Sequence, residues 1–198
     1  MGSRRIGRKR LYSLNKLGKT HANGAGPGIA DAIVSNTVRR EGHKIITEIT
    51  VDLGTSKASD IKAKNDVGDA IGKDGGGAAY LTQITTAVNG YITYVEMACL
   101  EVPNTNLDID LGTADESNLA YDGDVNGGTN HVLLVEAGGD WAVGEVDHYA
   151  VAHGTAHNIG ATLADQYLYL MSGVATNATY TQGKYVITLE GYAVPDDK

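Results

Sequence analysis

The stretch Lys44-Ile45-Ile46-Thr47-Glu48-Ile49-Thr50-Val51-Asp52-Leu53 decides the fold class. Taken in steps of two, Ile45, Thr47, Ile49, Val51 and Leu53 share one face, and Ile46, Glu48, Thr50 and Asp52 share the other. That is the period of a half-buried β-strand, whose successive side chains point to opposite sides of a sheet. The same period returns along the chain. Leu107-Asp108-Ile109-Asp110-Leu111 alternates strictly, which predicts that both carboxylates lie on a solvated face. His131-Val132-Leu133-Leu134-Val135 reads as a more buried strand, Tyr167-Leu168-Tyr169-Leu170 as extended, and residues 183–192 as a closing strand.

Between these lie turn signals. Residues 80–86 and 91–102 are rich in β-branched and aromatic side chains, and Val88-Asn89-Gly90 joins them. Because Asn-Gly suits the positive φ angles of a tight turn, the pair is predicted as a hairpin. Residues 56–77 are polar and end in Gly75-Gly76-Gly77, which predicts a long loop, and another polar stretch runs to Thr129. The one short helical candidate is 158–166. With 26 Gly, 3 Pro, 11 Tyr and no Phe in 198 residues, the composition favours strands and turns. The expectation is an all-β, antiparallel β-sandwich, with a jelly roll as the more specific architecture. Residues 1–43 are assigned to a basic N-terminal arm and linker, and 44–198 to the sandwich domain.

Charge is distributed unevenly. Arg4, Arg5, Arg8, Lys9, Arg10, Lys16 and Lys19 stand in the first twenty residues without one Asp or Glu, whereas the rest carries 9 Lys+Arg against 24 Asp+Glu. No Lys or Arg occurs between Lys73 and Lys184. An acidic body with a basic arm implies that the arm meets something acidic. Arg4, Arg5, Arg8, Lys9 and Arg10 supply its charge, and Leu11, Tyr12, Leu14 and Leu17 are candidate anchors, since the spacing 11, 14, 17 permits one apolar helical stripe. An Arg-rich segment also suits phosphates, but a body at -15 repels a packed nucleic acid, which is not expected as the partner. Leu11, Leu14 and Leu17 are separated by polar residues, so neither a secretory leader nor a membrane span is predicted.

Motifs of chemistry are incomplete. His153 and His157 are four residues apart near His148, but Gly154 stands where a zinc protease has its Glu. Asp122-Gly123-Asp124-Val125-Asn126-Gly127 matches the first half of a calcium loop, but its twelfth position is Leu133 in place of the bidentate Glu. Gly75-Gly76-Gly77 lacks the ending of a phosphate loop. Cys99 sits in an apolar run and reads as a small buried hydrophobe. No catalytic residue, metal or cofactor is assigned, and the chain is not expected to be an enzyme.

Six segments in the same order span most of the chain: "GRKRLYSLNKLGKT" (7–20), "ITVDLG" (49–54), "YLTQITTAVNGYITYVEMACLEVP" (80–103), "LDIDLG" (107–112), "LADQYLYLMSG" (163–173) and "YTQGKYVITLEGY" (180–192). Together they resemble the small virion structural proteins of marine tailed bacteriophages such as cyanophages. The resemblance implies a capsid decoration or cement protein located in the virion. It would be a homo-oligomer, preferably a trimer, whose arm binds the major capsid protein or another virion protein. Two alternatives stand beside it. One is a tail or neck component, and the other a carbohydrate-binding module in which the 11 Tyr and the single Trp141 stack on sugar rings.

Overall fold

The computed structural model describes residues 24–29, 33–54, 60–105, 107–128, 130–149 and 163–193. Twelve strands follow in chain order: β1 (Val34–Glu41), β2 (Lys44–Asp52), β3 (Ile61–Ala63), β4 (Gly72–Lys73), β5 (Thr82–Gln83), β6 (Tyr91–Glu101), β7 (Ile109–Ala114), β8 (Val132–Val135), β9 (Val146–His148), β10 (Tyr167–Ser172), β11 (Ala178–Thr179) and β12 (Lys184–Tyr192). A short helical turn, α1 (Thr86–Asn89), lies before β6. A five-stranded sheet of order β1-β2-β12-β6-β9 packs on a four-stranded sheet of order β5-β10-β7-β8, and β11-β3-β4 form a small third sheet. The chain is an all-β sandwich of antiparallel sheets.

The register explains the core. Ile49 of β2 lies opposite Ile187 of β12, which lies opposite Met97 of β6, and the neighbouring row is Val51, Tyr185, Cys99. All six are essentially inaccessible to solvent. Leu168 and Leu170 of β10, with Ile109 and Leu111 of β7, meet them from the other sheet in one continuous cluster. Burying each such side chain contributes about 1.5–3 kcal/mol. Trp141 closes one end of this cluster. It is 3% exposed, its indole Nε1 donates to the Ile109 carbonyl at 2.8 Å, and its ring meets Tyr185 edge-on at 5.7 Å.

The four-stranded sheet is covered on its second face too. Tyr169 and Met171 of β10 pack there with Ala114, Ala70, Ala79 and Val125. Residues 60–77 and 115–128, expected as polar loops, supply that cover together with Ala79 and Tyr80, which is why every residue of β7 is buried. The expectation that Asp110 is solvated is therefore wrong. It points from β7 into this covered side, is 7% exposed, and its Oδ1 accepts a hydrogen bond from the Ala137 backbone N–H at 3.0 Å. Asp108, just before the strand, is half-buried.

The expected 80–86/91–102 hairpin is also replaced. β5 pairs with β10 in one sheet and β6 with β12 in the other, so the chain crosses between sheets at α1. The Thr85 hydroxyl caps α1 by accepting from Val88 N, Asn89 Oδ1 accepts from Thr85 N, and Asn89 Nδ2 donates to the buried Thr47 hydroxyl at 2.8 Å. Gly90 (φ 72°) packs against the backbone of Tyr192, where a Cβ would come within 2.7 Å of its carbonyl. Asn-Gly thus serves a left-handed helix stop and a sheet-to-sheet corner.

Residues 24–29 and 33–41, assigned from sequence to arm and linker, belong to the folded body. β1 lies along β2 from Val34 to Glu41, and Gly26 and Gly28 donate to the Tyr80 and Ala78 carbonyls. Val34, Asn36 and Val38 point inward while Arg39, Arg40 and Glu41 stay in water, a pattern fitting a sheet edge. The helical candidate 158–166 lies mostly outside the described residues, with only Leu163 in a helical turn.

Candidate functional site

The arm residues Arg4, Arg5, Arg8, Lys9, Arg10, Leu11, Tyr12, Leu14 and Leu17 lie outside the described residues, as do His153 and His157. What the structure gives is the body that such an arm would complement. Seven Lys and Arg side chains are described, and six of them pair with neighbouring carboxylates: Arg39 with Glu41, Lys44 with Glu190, Lys62 with Asp74, Lys64 with Asp122, Lys73 with Asp60 and Lys184 with Asp52. The seventh, Arg40, donates from Nε to the Gly42 carbonyl at 3.0 Å. These cations stand on β1, β2, the 60–74 region and the start of β12. Residues 107–149 carry ten Asp and Glu and not one Lys or Arg, and only Asp122 among them receives a cation from elsewhere among the described residues.

The acidic side ends in two sheet edges. β8 closes the four-stranded sheet and β9 the five-stranded one, each bonded on one side to β7 or β6. Between them opens a cavity of about 300 Å³ lined by Leu133, Leu134, Glu136, Asp147, His148 and Tyr149. Its apolar floor comes from β8, where Leu133 is 36% exposed. Around the β9 edge the register sets Val146 opposite Ala98, and Ala98 opposite Val186, so an apolar row crosses three strands. Val146, Leu100 and Val143 are 52%, 51% and 68% exposed. His148 lies opposite Glu96 and stacks on Tyr94 with ring centroids 6.1 Å apart. The Tyr94 hydroxyl donates to the Glu96 carboxylate at 2.5 Å, which with burial raises its pKa to about 12.

A second carboxylate group forms where the calcium-loop fragment meets residues 66–69. Asp66, Asp69 and Asp122 bring carboxylate oxygens within 4.8 Å of one another. Gly68 N donates to Ser172 O, and Val125 N to Gly68 O, tying both segments together. Asp122 adopts φ 71° and binds the Lys64 ammonium. Asp124, by contrast, folds back to accept from Gly127 N at 2.7 Å, an ordinary Asx turn. The linear ligand spacing read from 122–127 therefore does not describe this site. Burial, then the hydrogen bond to Asp122 and the charges of Asp122, Asp66 and Asp124, raise the Asp69 pKa to about 6. Burial likewise raises Asp110 to about 6, partly offset by the Ala137 N–H. Both carboxyls keep their proton up to about pH 6, where an exposed carboxylate has already lost it.

Two further sequence readings meet their geometry here. Cys99 is a buried thiol between the sheets, its pKa raised mainly by burial, which suppresses the reactive thiolate. Trp141 is a core residue and presents no face to a ligand. The Asp66–Asp69–Asp122 group was not readable from sequence, because its members come together only through pairing across more than fifty residues. The β8/β9 groove had one signal, the cation-free run after Lys73. Comparisons with protein-family models, curated proteins and solved structures find no match.

Proposed function

We propose that this chain is a structural protein of a bacteriophage virion, a capsid decoration or cement protein with a jelly-roll body that attaches through its basic arm. The observation that carries the reading is the nesting of its strand pairs. β2 pairs with β12, β5 with β10, β6 with β9 and β7 with β8, all antiparallel, and successive pairs alternate between the two sheets. Four such pairs nested in one long hairpin and divided between two sheets are the pattern expected of a jelly roll, a fold that recurs in viral shell proteins and in lectins. The buried position of Trp141 takes the single tryptophan out of a sugar-stacking role and leaves exposed tyrosines such as Tyr91 and Tyr192 for it. Charge favours the shell: the described cations are engaged within the body, while seven more are concentrated in residues 1–20.

The test compares the full chain with a variant lacking residues 1–20 on undecorated phage heads, at low and high salt. The expected result is binding by the full chain alone, weakened but not abolished by salt, because screening removes the charge contribution and leaves the leucines. Equal binding by both would move the interface onto the β-body. Binding by neither, with both folded by circular dichroism, would overturn the virion reading.

A further inference from the structure

We propose that, in copies not attached to a shell, the groove at the β8 and β9 edges receives the basic arm of a second copy of this chain, so that copies link head to tail. The inference rests on the reading of the arm as a docking segment, and not on which particle carries the protein.

Charge complementarity is the first argument. The groove has Glu136 and Asp147 on its walls, with Asp140 and Glu145 on the adjoining turns, in a segment that contains no Lys or Arg. The arm has the opposite composition, with Arg4, Arg5, Arg8, Lys9 and Arg10 ahead of Leu11, Tyr12, Leu14 and Leu17. Acidic walls over an apolar floor at Leu133, with the exposed Val146 next to Asp147 on β9, match a basic segment followed by apolar anchors.

The second argument is where the described chain begins. Gly26 and Gly28 bond the Tyr80 and Ala78 carbonyls, while Leu81 N bonds Leu168 O of β10 from the other side of the same segment. Alternate residues of an extended chain bond to opposite sides, so residues 24–28 lie beyond the β5 edge. The groove is at β8, the opposite edge of that four-stranded sheet. A chain filling its own groove would have to pass over or around the outer face of the sheet, on which residues 60–80 and 115–128 are packed, whereas a neighbouring copy can present its groove directly. Twenty-three residues extended at ~3.3 Å each reach up to about 75 Å, ample for a neighbouring copy. A donor edge and a receiving edge on opposite sides of one subunit make a heterologous contact, which closes into a ring when the rotation allows.

The experiment uses the full chain carrying Ser13→Cys and Val146→Cys. Cys99 is buried and does not compete. Under mild oxidation the expected product is a ladder of covalent oligomers on a non-reducing gel, lost when Glu136→Lys and Asp147→Asn are added to the same background. Sedimentation of the unsubstituted chain should show an oligomer that dissociates as salt rises. A covalently closed monomer of altered mobility would mean that each chain fills its own groove, and no cross-link in a folded, oligomeric sample would mean that the arm docks elsewhere; either overturns the proposal. Phage-head binding with no cross-link would refute this inference and leave the virion reading standing, whereas a ladder without head binding would do the reverse.

Discussion

Replacing Asp110 by Asn stabilises the fold above pH 6 and flattens its response to pH. The carboxyl is 7% exposed on the covered side of β7, and burial, aided by the charges of Asp108 and Glu136, raises its pKa from 3.8 to about 6. At ~1.4 kcal/mol per tenfold change in acidity, that displacement corresponds to about 3 kcal/mol as an upper figure. Because the folded pKa is the higher one, the native state holds the proton more tightly than the unfolded chain. The favourable contribution is complete below pH 3.8 and is lost as pH rises through about 6. Asparagine keeps the Oδ1 acceptor facing the Ala137 N–H and cannot ionise. Urea unfolding followed through Trp141, the single tryptophan and a buried one, reads both proteins between pH 4 and 8. D110N should gain about 1–3 kcal/mol at pH 8, or roughly 2–12 °C in Tm for a domain of this size, and little at pH 4. Asp69, with a pKa also near 6, should leave part of the slope in place. If D110N were less stable at pH 8 and kept the full wild-type slope, Asp110 would be ionised in the fold and the burial argument would fail.

Other substitutions test separate parts of the structure. Tyr180 is fully buried and its hydroxyl has no hydrogen-bond partner among the described residues, so Tyr180→Phe should raise stability by about 1 kcal/mol in the same unfolding assay. Asn89→Ala removes the bonds to Thr85 N and the Thr47 hydroxyl, and should cost about 2–3 kcal/mol, read as a lower denaturation midpoint at unchanged m-value. Lys64→Met leaves Asp122 beside Asp66 and Asp69 without its cation; the variant should lose stability at pH 8 and recover part of it near pH 5, as Asp69 takes up a proton.

The long strands were legible because each follows a single rule. The alternation of residues 44–53 sets Ile45, Thr47, Ile49 and Val51 on the inner face, as the structure has them, and β6, β10 and β12 fall where aromatic and β-branched residues cluster. What could not be read depends on partners distant in sequence. Leu107 to Leu111 alternates like a strand with one wet face, and nothing local reveals that residues 115–140 fold over Asp110. Asn89-Gly90 supports a hairpin turn and a helix stop equally well, and the Thr47 hydroxyl, 42 residues away, selects the second. β3, β4 and β11 have two or three residues each, too few to establish a period, and exist because they pair with one another. The acidic groove was visible only as a cation-free interval, since its two walls belong to different sheets.

The position of β12 has a consequence for synthesis. It is the last strand of the described chain, yet it lies in the middle of the five-stranded sheet, bonded to β2 on one side and β6 on the other. As the chain leaves the ribosome, β2 and β6 must wait with facing edges unfilled and with Ile49, Val51, Met97 and Cys99 only half covered. Pairings of such long range close slowly, and open strand edges in the interval invite joining to other nascent chains. A protein made in many copies at once would meet that hazard most severely, and the surplus negative charge of the body, present before β12 arrives, is a means by which the waiting chains repel one another.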